Sequence, residues 1–228
     1  MPIGPRETVE HVSKLLENLS ALPQTCEVIL ALGDQRADFQ TPEILSGFPV
    51  VLSHEGEGRA QQMNAGAKLA KGDWLWFLHV DSGFEQSVLE KLIQLSGEDK
   101  EALYFHELRF ADDGPSVMKL NERMVSWRSN FLGMPFGDQG FFLKRALFEK
   151  LGGYREDVAY GEDHVFVWAA RQEGYDLIST RTDLTTSARK YRDSGWLRIT
   201  ARHVWLTYKQ AFPEFLKLLR MRLIGGER

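Results

Sequence analysis

Residues 58–82, GRAQQMNAGAKLAKGDWLWFLHVDS, decide the fold. Arg59, set behind glycine, opens a helical stretch in which Asn64, Ala67 and Ala70 are small enough for a helix to lie close on a sheet. Residues 74–78 are an unbroken apolar run, too short for a membrane span and the right length for a strand covered on both faces. His79 and Asp81 follow at the carboxyl end of that strand, the edge at which open α/β sheets bind ligands. A carboxylate two residues from an imidazole suits a divalent cation there and, through it, a phosphate.

Upstream, Gly56 and Gly58 allow a tight turn and close backbone approach to a ligand. The free amides at the following helix start favour a pyrophosphate, with Arg59 adding a forked charge. Residues 27–32 and 50–52 read as buried strands and 39–45 as a short helix. Gly33-Asp34 turns out of the first of these strands. Val9, Val12, Leu15, Leu16 and Leu19 have helical spacing over residues 8–22, and Pro23 ends that helix. Residues 1–5 carry two prolines and read as the end of a strand without its body. That leaves two readings, a very short first strand or a start inside a longer one.

Downstream, residues 87–95 read as an amphipathic helix and 102–110 as a strand. Asp112 and Asp113 form a solvated turn, and 119–131 has helical spacing with Met124, Trp127 and Phe131. Gly137-Asp138-Gln139-Gly140 places two polar side chains between glycines ahead of an apolar strand. They either face a cleft or make a hydrogen-bonded turn. Glu162 and Asp163 open the helix 164–173, where the macrodipole favours acids whether they cap or catalyse. Residues 176–179 read as a last short strand, and 185–190, TTSARK, as a loop returning over the sheet with hydroxyls and cations. The helix at 196–219 carries an aromatic stripe that docks on its own domain, on a second subunit in a homodimer, or at a membrane interface.

The 228 residues make one large domain with a helical appendage, divided at 1–190 and 191–228. A formal charge of −4 gives no reason to expect nucleic acid as a partner. Residues 189–228 hold ten Lys/Arg against three Asp/Glu, net +7, which leaves −11 for residues 1–188. A basic tail on an acidic body points to phosphate or a membrane surface, or is simply a solvated face. The single cysteine, Cys26, excludes an internal disulfide and fits a reducing cytoplasm. No apolar run approaches the ~20 residues of a spanning helix. The expected location is cytoplasmic, with peripheral attachment at the inner membrane face as the variant.

The core stretch resembles the nucleotide-sugar-binding region of family-2 glycosyltransferases with the GT-A fold. His79-Val80-Asp81 takes the place of their Asp-x-Asp signature. The chain is especially similar to a bacterial subgroup with a Leu-His-Ala-Asp variant after a Gly-Arg-Ala-x-Gln-Met-Asn-Ala-Gly helix. That subgroup also carries Gly-Asp-Gln-Gly, Leu-Gly-Gly and Thr-Ser-Ala-Arg-Arg segments, matched near Gly137, Leu151 and Ser187. The resemblance implies an α/β GT-A (Rossmann-like) fold: a mostly parallel sheet flanked by helices, with a helical carboxyl tail. It further implies a hexosyltransferase-type enzyme using a nucleotide-diphosphate sugar and Mg or Mn.

By the same resemblance, the donor-binding residues are Asp34, Arg59, Asn64, His79, Asp81 and Arg189. Strict alignment puts Leu32, not Asp34, at the family's base-contacting acid, so Asp34 is either that contact or a turn residue. Asp81 and His79 hold the metal, with contact to ribose or phosphate as the other role for His79. Asp138 and Gln139 shape the acceptor pocket. Asp163 is the base that takes the acceptor proton in an inverting transfer, with Glu162 as its substitute. Two other classes remain open: a nucleotidyltransferase, for which residues 2–6 lack a full glycine-rich loop, and a degenerate, non-catalytic nucleotide-sugar-binding domain.

Overall fold

The structure, a computed structural model, describes residues 1–5, 7–33, 39 and 48–225, with side chains through 223. Asp34 and the helix expected at 39–45 lie outside the described residues. Helix α1 (Val9–Asn18) starts where Thr8 Oγ1 accepts from the His11 amide and the His11 ring accepts from the Thr8 amide. It buries Val12, Leu15 and Leu16. Strand β1 (Val28–Ala31) pairs in parallel with β2 (Val50–Ser53). The chain start adds only a bridge, Pro2 opposite Ala31, with Ile3 N donating to Ala31 O at 2.8 Å. Pro2 and Pro5 have no N–H to extend a ladder, which keeps this pairing short.

The other strands are β3 (Trp74–Trp76), β4 (Gly83–Phe84), β5 (Ala102–Phe110), β6 (Phe142–Lys144) and β7 (Asp176–Thr186). They form a sheet in the order β3-β6-β5-β7-β4. Here β5 and β7 run parallel, while β3/β6, β5/β6 and β4/β7 run antiparallel, so the sheet is mixed. Strand β7 runs seven residues beyond the expected 176–179, because Leu184 is fully buried in the core and continues the pairing with β5. A register shift between Phe105 and Glu107 accommodates it.

Helices cover both faces of the sheet. On one side α2 (Arg59–Leu69), α5 (Arg145–Lys150) and α6 (Glu162–Gln172) enclose Met63, Phe77, Phe105, Phe141, Phe148 and Phe166. On the other, α1 and α3 (Gln86–Ser96) enclose Leu16, Leu30, Leu89 and Tyr104. Helix α4 (Met118–Phe131) departs from expectation. Its spaced Met124, Trp127 and Phe131 are exposed, and Met118, Asn121, Glu122 and Ser129 are the buried positions. The chain ends in α7 (Arg189–Ser194) and α8 (Trp196–Gly225). Ala211 and Leu218 of α8 pack on Trp168 of α6 and on Met134. Among the described residues, no helix is long and apolar enough to cross a membrane.

Candidate active site

Two hollows open along the carboxyl ends of β1 and β3. The first, about 450 Å³, lies among Ile3, Leu32, Gly33, the Gly56–Arg59 turn, Gln62 and the segment from His79 to Asp81. Its floor is backbone against backbone. Gly33 has φ +69°, and a Cβ there would stand 2.6 Å from Gly56 O and 2.8 Å from Gln62 Nε2. Only glycine permits that approach. The second hollow, about 460 Å³, runs from Asp138, Asp163 and His164 between α4, α7 and α8. Both hollows are lined by Arg59, His79 and Asp81, which stand where they meet.

At the junction the charges are already paired. Asp163, in the first turn of α6, accepts from the amides of Gly137 at 2.6 Å and His164 at 2.8 Å. Arg59 Nη2 lies 3.3 Å from Asp163 Oδ2, and Arg59 Nε donates to Glu162 Oε1. Burial alone would raise the Asp163 carboxyl; Arg59 and the two amides outweigh it and hold it below the usual carboxylate range. For Arg59, burial disfavours the charge, and Asp163 and Glu162 more than offset this. The Arg59 expected to face a pyrophosphate therefore bonds to the two acids of α6.

His79 is partly buried. Its pKa is lowered, by burial first and then by Arg59, which keeps the imidazole neutral and able to accept or ligate. Asp81 is exposed, and its Oδ2 accepts from Thr186 Oγ1 at 3.1 Å. Among the described residues, no group of three or more His, Cys, Asp and Glu side chains is arranged to hold a metal. One carboxylate and one neutral imidazole nevertheless fit a cation whose remaining ligands are substrate phosphates and water. Asp138 lines the second hollow, and its Oδ1 is buried with no hydrogen-bond partner among the described residues.

Three expected ligand residues do other work. Asn64 accepts from Tyr154 N at 2.9 Å and donates to Tyr154 O and Glu156 Oε1, both at 2.8 Å. It pins the Gly152–Tyr154 turn to α2 and lines neither hollow. Gln139 is wholly buried; its Oε1 accepts from Ser129 at 2.8 Å and Arg128 at 3.1 Å, and its Nε2 donates to His106 O at 2.8 Å. It lines neither hollow. Arg189 turns to Ser187 Oγ at 2.9 Å, with Asp113 Oδ2 at 3.6 Å, and the cation lining the cleft is the next residue, Lys190.

Asp113 is likewise not a solvated turn residue. It accepts from Ser187 Oγ at 2.6 Å and Ala188 N at 2.7 Å, anchoring the start of α7. His164 is buried and accepts from Trp168 Nε1 at 3.0 Å. Sequence reasoning missed Arg128, whose guanidinium sits 3.6 Å from the Phe136 ring centroid, and His203 and Gln210 on α8. Their separation along the chain from the strand ends leaves no local pattern to read.

Known proteins place this geometry in a family. The profile of glycosyl transferase family 2 matches residues 6–159. An uncharacterized glycosyltransferase of Haemophilus influenzae is 24% identical over 175 residues, covering 72% of this chain. The chain spans 58% of the length of that relative. Among solved structures, a mannosyltransferase of Pyrobaculum calidifontis in complex with GDP-Man and Mn2+ superposes at TM-score 0.64. It is 16% identical, with 97% of this chain and 67% of that one covered. The S. aureus TarS 1–349 structure in complex with UDP-GlcNAc superposes at TM-score 0.57 with 18% identity, over 82% of this chain and 56% of the other. At these identities the superpositions speak for the GT-A fold alone. With the profile match over more than half of the chain, the chain belongs to glycosyl transferase family 2.

Proposed function

We propose that the protein moves a hexose from a nucleotide-diphosphate sugar to an acceptor hydroxyl in one in-line displacement, inverting the anomeric centre. The nucleotide lies in the hollow between β1 and the Gly56–Arg59 turn, with its diphosphate at His79 and Asp81. Asp81, with His79, would hold Mg or Mn beside the diphosphate, with the remaining ligands from phosphate and water. Such a cation, when bound, offsets charge that develops on the leaving group. Asp163 takes the acceptor proton as the acceptor oxygen bonds the anomeric carbon. The bond from that carbon to the phosphate oxygen breaks, and its electron pair leaves with the nucleoside diphosphate.

Arg59 links the two halves of the reaction. It pairs with Asp163. A diphosphate offers the guanidinium a more highly charged partner, and as Arg59 turns to it the Asp163 carboxylate becomes more basic. The observation that carries this reading is the meeting of the two hollows at Arg59, His79 and Asp81, with Asp163 on the acceptor side. Residues 1–190 carry the donor-side residues and Asp163, and residues 191–228 are a helical extension packed on them that completes the second hollow.

The test is a thermal-shift panel of UDP, GDP, ADP, CDP and dTDP, with and without Mn2+. A ligand at about a hundredfold its Kd adds roughly 2.7 kcal/mol of stability, read as a raised Tm. One nucleotide raising Tm in the presence of metal, and not in Asp81→Ala, supports the donor site and names its base. No shift with any nucleotide, in a protein that melts cooperatively, overturns it.

A further inference from the structure

The acceptor side of the cleft has a chemistry of its own. Met124, Val125 and Trp127 of α4 face Val204, Leu206 and Tyr208 of α8 across it. Polar side chains, among them Asn121, Lys190, Thr200 and His203, also line this hollow, and the apolar ones between α4 and α8 suit the hydrocarbon part of an amphiphile. At the inner end stand Asp163 and the unpartnered Asp138 Oδ1. At the outer end Met124, Trp127, Val204 and Tyr208 are themselves 38–54% exposed, so the groove opens onto an apolar rim.

That rim continues along α8. Trp205, Tyr208, Phe212, Leu216, Leu219 and Leu223 recur at steps of three and four and are 41–76% exposed. They form a stripe turned away from the face on which Thr207, Ala211 and Leu218 pack against the body. Arg198, Arg202, Lys209 and Arg220 follow the same helical rows along one flank, and the Lys209 ammonium lies 4.8 Å from the Trp205 ring centroid. Between residues 196 and 223 there are six Lys/Arg and one Asp/Glu, on a chain whose first 188 residues carry −11. An aromatic and aliphatic stripe bordered by cations matches the interface of an anionic bilayer. A second copy docked on the same stripe would bring the two cation rows together.

We infer that the acceptor is a membrane-resident amphiphile, met by the protein with the outer stripe of α8 seated on an anionic bilayer. Its apolar chain lies between α4 and α8, its reacting hydroxyl donates to Asp163, and a second donor of the head group meets Asp138 Oδ1. This rests on the glycosyl-transfer reading above and adds the substrate class.

Two measurements test it. The first is co-sedimentation with vesicles of phosphatidylcholine and phosphatidylglycerol, against phosphatidylcholine alone. Binding is expected only with the anionic lipid, and Trp205→Glu with Phe212→Glu lowers it more than about tenfold. Both positions lie outside the cleft, so the variant keeps the nucleotide-dependent Tm shift, which also reports that it folds. The second is quenching of tryptophan fluorescence by brominated lysophosphatidylglycerol below its micelle concentration. Quenching is expected, and Trp127→Phe removes most of it. Binding that ignores lipid charge, an unquenched Trp127, or a dimer that the glutamates dissolve would each overturn the inference. If no nucleotide shifts Tm, the transfer reading falls as well; if the nucleotide shift stands while vesicles and lysolipid leave the protein untouched, only this inference falls.

Discussion

Where the two hollows meet the charges are paired with one another, whereas the second hollow carries apolar side chains of α4 and α8 and one carboxylate oxygen that has no partner among the described residues. Arg59 binds Glu162 and Asp163, and Asp81 binds Thr186. A few residues away, Asp138 Oδ1 is buried without a partner between α4 and α8. The difference separates two tasks. On the proposed reading, a diphosphate brings its own charge and competes with Glu162 and Asp163 for Arg59. A hydroxyl on an apolar body brings little charge and gains most from a dry groove and a waiting acceptor atom.

The strongest way to break this contrast is to remove the carboxylate at the junction. Asp163→Asn lowers turnover by roughly a thousandfold, the range of a lost general base, while the nucleotide-induced Tm shift survives. Equal loss of both would mean that Asp163 holds the donor rather than the acceptor proton.

A second measurement separates the acid sensitivity of the floor from that of the site. His106 lies beneath the Gly137–Gln139 turn, bonded to Thr182 at 2.8 Å and Thr180 at 2.9 Å, and burial lowers its pKa to about 4. Its folded pKa lies below the unfolded value, so the unfolded chain binds the proton first as pH falls. Stability is whole above pH ~6.5 and declines toward pH ~4, by about 3 kcal/mol from this group. Denaturant titrations across that window check it, and His106→Gln flattens the dependence. Asp163, with a depressed pKa, contributes stability that is lost only at lower pH, below the usual carboxylate value.

The packing of the turn predicts the next effect. A Cβ on Gly137 would stand 2.9 Å from Asp163 Oδ2 and 3.1 Å from its Cβ. Gly137→Ala therefore displaces the carboxylate and lowers kcat by about a hundredfold, with nucleotide affinity unchanged. The smallest effect compares neighbours. Lys190→Ala raises the acceptor KM severalfold, on the order of 1 kcal/mol, and Arg189→Ala does not, because only Lys190 lines the cleft.

How far the sequence discloses this site depends on chain distance and on hydrogen-bonding capacity. Arg59, His79 and Asp81 are legible because a single helix–strand unit of 25 residues fixes them at a sheet edge. Asp163 is legible because acids at a helix start are either caps or chemistry. Asn64 and Gln139 sit away from the two hollows for a physical reason: a side-chain amide both donates and accepts, and here those bonds hold distant elements together. Arg189 bonds Ser187 while its neighbour Lys190 lines the second hollow. Strand β7 continues to Thr186 and α7 starts soon after, so adjacent side chains point about 100° apart. The facing walls of α4 and α8 are separated by about 80 positions, and no local period announces that they meet.

The most direct test of the account is nucleotide affinity measured side by side in the wild-type protein, Asp81→Ala and Asp163→Asn, with Mn2+ present. The account predicts that Asp81→Ala loses the nucleotide while Asp163→Asn binds it at least as tightly as wild type, because removing the carboxylate frees Arg59 for the diphosphate. Undiminished binding in Asp81→Ala, or loss of binding in Asp163→Asn, would contradict the division of the cleft into a donor end and an acceptor end.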